Sequence, residues 1–341
     1  MKADATIIIA LLLSLIPTLI NAFSALPVTT TTTKEKASRN NGRKVKEKVP
    51  LKGIQASQFR HPLDRDLTNL ITNAPFSNIA KTAITQSLSV VEQRVRLDLL
   101  SSSVKVSPYQ MSELYELMVD AATILDMEIV PELYVQSSPQ ANAYTLALQQ
   151  QQQQQPWKKK KKKSSDKDDD QPPPPPAIVV VTSALLDRCT DDEIQAIIGH
   201  ELGHLKCSHS LYLTLGGLPS TPIRWMPFVG SQAEQLLQEW KLAAEYSCDR
   251  AALLVSQDVT IVAGAMLKLF AGTKRATNTE AFINQSREYE RLLQDANPMV
   301  RMSIRRQQRT HPLPVKRVGE LGAWFRSDEY SAILKKNGRN K

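Results

Sequence analysis

The stretch that decides the fold of this 341-residue chain is His200-Glu201-Leu202-Gly203-His204. Two His residues four positions apart leave the same face of a helix one turn apart, so both imidazoles can bind a single metal ion. Glu201 lies about 100° around the helix from His200, where its carboxylate can reach a water on that ion without binding the ion itself. The stretch therefore predicts a helix that carries a metal-activated water, with Glu201 as the base that takes the proton.

A catalytic metal site of this kind needs a third protein ligand and an open position for water. A helix predicted over residues 232–255 offers Glu234, Glu239 and Glu245. Only Glu245 has a carboxylate four residues later on the same face, Asp249, which can accept the second N–H of a ligand His. We therefore predict Glu245 as the third ligand, and we interpret Glu234 and Glu239 as residues of a solvated face.

The rest of the pattern predicts an α+β fold. Apolar residues recur at helical spacing over 110–127, 191–209, 232–255 and 261–271. Short runs rich in β-branched or aromatic residues predict strands at 104–106, 132–136, 143–147 and 178–182. We expect a mostly helical domain with a small mixed sheet beside the helix that carries the two His residues.

Long parts of the chain do not have the composition of a folded core. Residues 1–22 resemble a signal peptide, and residues 23–50, rich in Thr, Ser, Lys and Arg, resemble a transit peptide. Residues 149–176 consist of runs of Gln, Lys, Asp and Pro that cannot bury a core. We predict one folded domain at 51–336 with a short tail at 337–341, and residues 149–176 as a disordered insert that lengthens a hairpin turn.

The net charge of +9 does not indicate a nucleic-acid partner. Almost all of it lies in residues 1–50 and 149–176, outside the predicted core of the domain. The three cysteines, Cys189, Cys207 and Cys248, match no zinc spacing and no disulfide scaffold, which favours a reducing compartment. We interpret Cys207 and Cys248 as small apolar residues of the core.

The two N-terminal segments together predict the destination of the chain. A signal peptide followed by a transit-like segment resembles the bipartite presequence of algae whose plastids lie inside extra membranes. We therefore expect a plastid protein. The alternative is the secretory pathway, with residues 23–50 as a disordered basic linker.

Residue type alone leaves His311 and Asn142 undecided. His311 precedes a predicted C-terminal helix, and a lone His is more often structural than catalytic. Asn142 precedes a predicted strand, where its amide most often stabilises a turn. We interpret His61 and His209 as structural or exposed.

Several stretches together resemble the gluzincin family that includes HtpX and the CAAX prenyl endopeptidases. These stretches are 142–144, 181–186, 199–204, 245–250 and 310–312. Residues 59–64, 204–207 and 311–315 add a closer resemblance to single-domain members from plastids and cyanobacteria, such as plastoglobule metallopeptidases. Many members have membrane-spanning helices after the first zinc helix, whereas here residues 211–230 are too interrupted by Pro to span a bilayer.

The resemblance implies a zincin-like metallopeptidase domain that binds one Zn²⁺ per chain. The metal ligands would be His200, His204 and Glu245, the base would be Glu201, and Asp249 would orient a ligand His. The implied substrates are extended segments of proteins or peptides, cut in plastid protein turnover or quality control near membranes or lipid bodies. Peripheral contact with such a surface is part of this expectation, and the alternative is a catalytically silent lipid-body or membrane scaffold.

The resemblance also assigns roles that the residues alone left undecided. His311 would stabilise the oxyanion, with Arg317 supporting it. Asn142, Ala143 and Tyr144 would form the sheet edge where an extended substrate adds as a strand.

Overall fold

A computed structural model describes residues 48–73, 93–146, 176–209, 229–273, 275, 278–307 and 313–338. The predicted signal peptide, nearly all of the transit-like segment and nearly all of the insert lie outside these residues. The segment 211–230 lies mostly outside them as well, and His311 lies fully outside them. The domain boundaries at residues 22, 50 and 336 therefore stay predictions.

Four strands form one mixed sheet in the order β1-β2-β4-β3. Their bounds are β1 Ser103–Lys105, β2 Glu132–Gln136, β3 Ala143–Leu146 and β4 Ile178–Thr182. Strands β2 and β4 pair in parallel, and the two outer pairings are antiparallel. All five residues of β4 are buried, which explains its unbroken apolar run, because a central strand is covered on both faces.

The antiparallel pair β3 and β4 is connected through residues 147–177, so the Gln, Lys, Asp and Pro tract lies between two paired strands. This is the hairpin connection that the strand pattern predicted. Strand β3 is also at the edge of the sheet, since it pairs only with β4 among the described strands.

Helices make up most of the described chain, which confirms the predicted α+β class with a small mixed sheet. In chain order they are α1 Ala56–Phe59, α2 Pro62–Thr72, α3 93–102, α4 Ser112–Ile124, α5 Ser183–Arg188, α6 Asp191–Lys206, α7 Val229–Ser256, α8 Val259–Ala271, α9 Thr279–Asp295, α10 Pro298–Gln307, α11 Pro314–Phe325 and α12 Asp328–Gly338. Within the described ranges, none of them combines the length and the apolar character needed to cross a bilayer.

Helix α6 carries the His-Glu-Leu-Gly-His stretch and begins at a capping box. Thr190 accepts from the backbone N–H of Glu193, while the Glu193 carboxylate accepts from the backbone N–H of Thr190. The predicted extension to His209 was wrong, because the helix ends at Lys206. Ser208 adopts a left-handed conformation with φ of 56°, which turns the chain back and carries His209 off the helix axis.

Helices α6 and α7 approach closely along two glycines of α6. A Cβ atom on Gly203 would lie 2.8 Å from the Ala251 Cβ and 3.0 Å from the Cys248 Cα, and one on Gly199 would lie 2.8 Å from Val255. These distances are shorter than ordinary van der Waals contacts, so only glycine permits this packing.

We expect Gly203→Ala to destabilise the metal-free protein by about 1–2 kcal/mol, because overpacking outweighs the better helix propensity of Ala. Gly322→Ala on α11 is the matched control, since its Cβ would meet only the Arg326 side chain, at 3.5 Å. The control should stabilise by about 0.5–1 kcal/mol. Urea unfolding with a chelator present measures both, and a stabilising Gly203→Ala would contradict the packing described above.

Candidate metal centre

A cavity of about 250 Å³ opens beside α6, between β3, α7, α8 and α11. Its apolar walls come mainly from α6 and α8. Its polar residues are Asn142, His200, Glu201, Glu245, Asp249 and Arg317. Six side chains singled out from the sequence therefore line one cavity, although they come from four separate parts of the chain.

The geometry of His200, His204 and Glu245 fits a tetrahedral metal site. One oxygen of Glu245 lies 3.6 Å from the Nε2 atom of His200, and the other oxygen lies 3.6 Å from the Nε2 atom of His204. Ligand atoms of a tetrahedral zinc site are about 3.4 Å apart, given bonds of about 2.1 Å. Two neutral imidazoles and one carboxylate are also a donor set that suits zinc.

Burial and neighbouring charges shift the pKa values of His200 and His204 in opposite directions. Burial lowers the pKa of His204 well below its usual value, so this ring is neutral and has a lone pair for a metal. Burial also opposes a charge on His200, but Asp249 and Glu245 outweigh it and raise the pKa of His200. The site is therefore a region of negative potential, which favours a bound cation.

Cys248 is the competing ligand, because its sulfur lies near His200 and His204. Burial raises the pKa of the Cys248 thiol well above its usual value, whereas a cysteine binds a metal as the thiolate. Its sulfur is also 3.6 Å from the Nδ1 atom of His209. Because Glu245 directs one oxygen at each Nε2 atom, the geometry favours Glu245 over Cys248.

Asp249 contacts the Nδ1 atom of His200, and Arg317 in turn binds the Asp249 carboxylate. The Asp249 carboxylate lies 3.1 Å from the Nδ1 atom of His200, and Arg317 donates to its two oxygens at 2.8 and 2.6 Å. Burial raises the pKa of Asp249, but Arg317 and the hydrogen bond to His200 outweigh that effect and lower it. The ionised carboxylate can only accept, so the Nδ1 atom of His200 carries the proton and its Nε2 atom is free for a metal.

Arg317 contacts a proposed metal ligand directly, whereas the resemblance implied only that it supports His311. Its Nη1 atom lies 3.3 Å from Glu245, so Arg317 bridges two carboxylates of α7. The expected partner of Arg317, His311, lies outside the described residues.

Thr145 on the edge strand was missed by the sequence analysis. Its hydroxyl donates to a carboxylate oxygen of Glu201 at 2.7 Å and so orients that side chain. The signal lay in the alternation of β3, since Ala143 and Thr145 share one face of the strand. Without the pairing of β3 beside α6, however, the sequence does not show which face meets Glu201.

The three residues expected to bind substrate divide into two groups. Asn142 and Ala143 line the cavity, and the backbone N–H of Asn142 donates to Thr182 at 2.8 Å. The hydroxyl of Tyr144 instead donates to Gln136 at 3.2 Å, and its ring packs with the cluster on the opposite face of the sheet. The Tyr144 side chain therefore does not reach the cavity, because successive residues of a strand face opposite sides.

Comparison with known proteins shows the family of this chain. Residues 175–325 match the model of peptidase family M48. The chain is 36% identical over 295 residues to a protein of Arabidopsis thaliana named plastoglobule-localized metallopeptidase 48, chloroplastic, an alignment that covers 84% of this chain and 78% of the relative. Fold and site thus define a metallopeptidase, a metal-dependent hydrolase of peptide bonds. The chain belongs to peptidase family M48, which confirms the resemblance found in the sequence.

We expect Arg317→Met to destabilise the metal-free protein by about 3 kcal/mol, because Asp249 is then left as a buried charge without its cation. Arg65→Met is the control, since Arg65 pairs with Asp66 on the surface and should contribute less than about 1 kcal/mol. Urea unfolding of both variants is the measurement. Equal small effects would show that the Asp249 pair is no more important than a surface pair.

Proposed function

We propose that this protein is a zinc-dependent endopeptidase that cleaves extended segments of protein substrates. The observation that carries the proposal is the pair of 3.6 Å distances from the two oxygens of Glu245 to the Nε2 atoms of His200 and His204. Glu201 lines the same cavity. Zinc held by these three ligands would lower the pKa of a bound water and polarise the substrate carbonyl.

Glu201 is the general base in this proposal. Its carboxylate takes a proton from the attacking water and passes it to the leaving amine. The 2.7 Å hydrogen bond from Thr145 keeps one carboxylate oxygen of Glu201 in place. Asp249 keeps the proton of His200 on Nδ1, and Arg317 keeps Asp249 ionised.

The edge position of β3 supports cleavage of extended segments. An unpaired strand edge presents backbone donors and acceptors to which a peptide can add as a further strand. Asn142 and Ala143 bring this edge to the cavity.

On the strength of the family resemblance, we also assign His311 as the residue that stabilises the oxyanion. Removing the His311 side chain should lower kcat by about 10²–10³-fold.

The test of the mechanism is Glu201→Gln. We expect peptidase activity to fall at least about 100-fold, because the base is lost, while the protein still binds close to one zinc per chain. Casein cleavage and metal analysis provide the two measurements. Glu239→Gln is the control, since Glu239 is exposed on α7 and accepts a hydrogen bond from Gln235.

Each result has a distinct meaning. Retained activity in Glu201→Gln would refute the mechanism. A wild-type protein without zinc and without activity would instead indicate a catalytically silent scaffold.

We propose that the protein works in a plastid, in protein turnover near a membrane or lipid-body surface. Support comes from the Arabidopsis relative, whose name places it in chloroplasts and at plastoglobules. The composition of residues 1–22 and 23–50 adds a presequence with two parts.

A fusion of residues 1–50 to a fluorescent protein should enter the plastid of an alga whose plastid lies inside extra membranes. The same fusion without residues 1–22 should stay in the cytosol, because it lacks the signal for the first membrane. Fluorescence microscopy is the measurement. Secretion of the 1–50 fusion would favour the secretory alternative.

A further inference from the structure

The imidazole of His209 lies next to that of His204, on the side away from the cavity. Its Nδ1 atom lies 3.2 Å from the Nδ1 atom of His209, and the Nε2 atom of His209 lies 3.0 Å from the carboxylate of Asp64. All three residues are buried. They form a chain of hydrogen bonds that begins at a proposed metal ligand and ends at a carboxylate.

Asp64 is built into the core as an anion. The hydroxyls of Ser247 and Thr68 donate to its two oxygens at 2.6 and 3.0 Å, and Arg60 lies 3.6 Å away. Burial raises the pKa of Asp64, but its contacts with His209, Arg60 and Ser247 hold it well below its usual range. Asp64 therefore accepts hydrogen bonds and donates none.

This anion fixes the direction of the hydrogen bond between His209 and Asp64. Because Asp64 only accepts, the Nε2 atom of His209 carries a proton. When the Nε2 atom of His204 binds a metal, its Nδ1 atom carries the ring proton and can donate it to the Nδ1 atom of His209, 3.2 Å away. In this tautomer the lone pair of His204 is on Nε2, the atom that faces Glu245.

We infer that His209 and Asp64 are positioning residues of the metal centre, which fix the tautomer and the orientation of His204. The inference rests on the proposed zinc site. The two His ligands are then supported in different ways, since Asp249 contacts His200 directly, whereas Asp64 acts on His204 through a second imidazole. Such outer partners raise the basicity of a ligand His and hold its ring in place.

The backbone brings these residues together from distant parts of the chain. The left-handed turn at Ser208 directs His209 back towards His204, while α2 supplies Asp64 and Thr68. Trp240 of α7 packs edge-on against the ring of His209 and donates to the Thr68 hydroxyl at 2.9 Å. Trp240 therefore contacts both His209 and the Thr68 hydroxyl that donates to Asp64.

A second metal site at Asp64, Cys207 and His209 explains the same cluster less well. Burial raises the pKa of Cys207 to about 12, so its sulfur remains a thiol and does not bind a metal as a thiolate. The Arg60 guanidinium also donates to the backbone carbonyl of Cys207, which places a positive charge beside the cluster. The carboxylate of Asp64 is already occupied by hydrogen bonds, as described above.

The experiment measures zinc affinity by competition with a chromophoric chelator, and the thermal midpoint of the zinc-free protein. We expect His209→Leu and Asp64→Asn to weaken zinc binding by about 10–100-fold. His209→Asn should bind zinc more tightly than His209→Leu, because its side-chain oxygen can accept from His204. Cys207→Ala should keep the wild-type zinc affinity, because Cys207 is equally buried but takes no part in the hydrogen bonds that join His204, His209 and Asp64.

A purely structural role for His209 predicts a different order. Leu would be tolerated better than Asn in this buried position, and zinc affinity would not follow the hydrogen bond. Zinc affinity of His209→Leu within twofold of the wild type would therefore overturn the inference. If His209→Leu does not fold, an unchanged zinc affinity in Asp64→Asn would also overturn the inference. A wild-type protein that binds no zinc would overturn the proposed function itself.

Discussion

The close contact between α6 and α7 is the constraint on which the rest of this structure depends. The two His residues lie on α6 and Glu245 lies on α7, so a shared metal site needs the two helices at a separation that ordinary side chains would prevent. Gly203 against Ala251 and Cys248 makes that separation possible. Gly199, one turn earlier on α6, allows the same close approach to Val255 of α7. Packing of backbone against side chain thus sets the geometry of the metal site.

Charge is the second requirement that the fold has to meet. Among the described residues that line the cavity, Glu201, Glu245 and Asp249 bring three carboxylates into one low-dielectric region, while Arg317 brings one positive charge. Buried carboxylates are costly unless each has a cation or donors. A divalent cation at His200, His204 and Glu245 would supply the missing positive charge. Asp64, on the far side of α6, has Arg60, Ser247, Thr68 and His209 as partners and needs no metal.

The edge strand β3 lies beside the metal site, where the proposed substrate would bind. Thr145 faces α6 and orients Glu201, and the preceding residues Asn142 and Ala143 open onto the cavity. The same strand is followed by the long connection to β4, which contains the Gln, Lys, Asp and Pro tract. A peptide that adds to this edge would therefore lie next to the proposed base, and one short strand would then contribute to both catalysis and substrate recognition.

The sequence by itself determined those parts of the protein that depend on local periodicity. The spacing of His200 and His204, the preference for Glu245 because Asp249 follows one turn later, and the strands 132–136 and 178–182 all follow from repeats of 3.6 or 2 residues. The class of fold followed from the same features, and the family followed from the resemblance of several short stretches to known members. Only the tertiary structure decided that Thr145 meets Glu201, that Arg317 bridges Asp249 and Glu245, and that Tyr144 faces away. His209, interpreted from sequence as structural or exposed, likewise joined His204 to Asp64 only in the folded chain, because contacts between segments up to 145 residues apart depend on helix packing and strand order rather than on any short pattern.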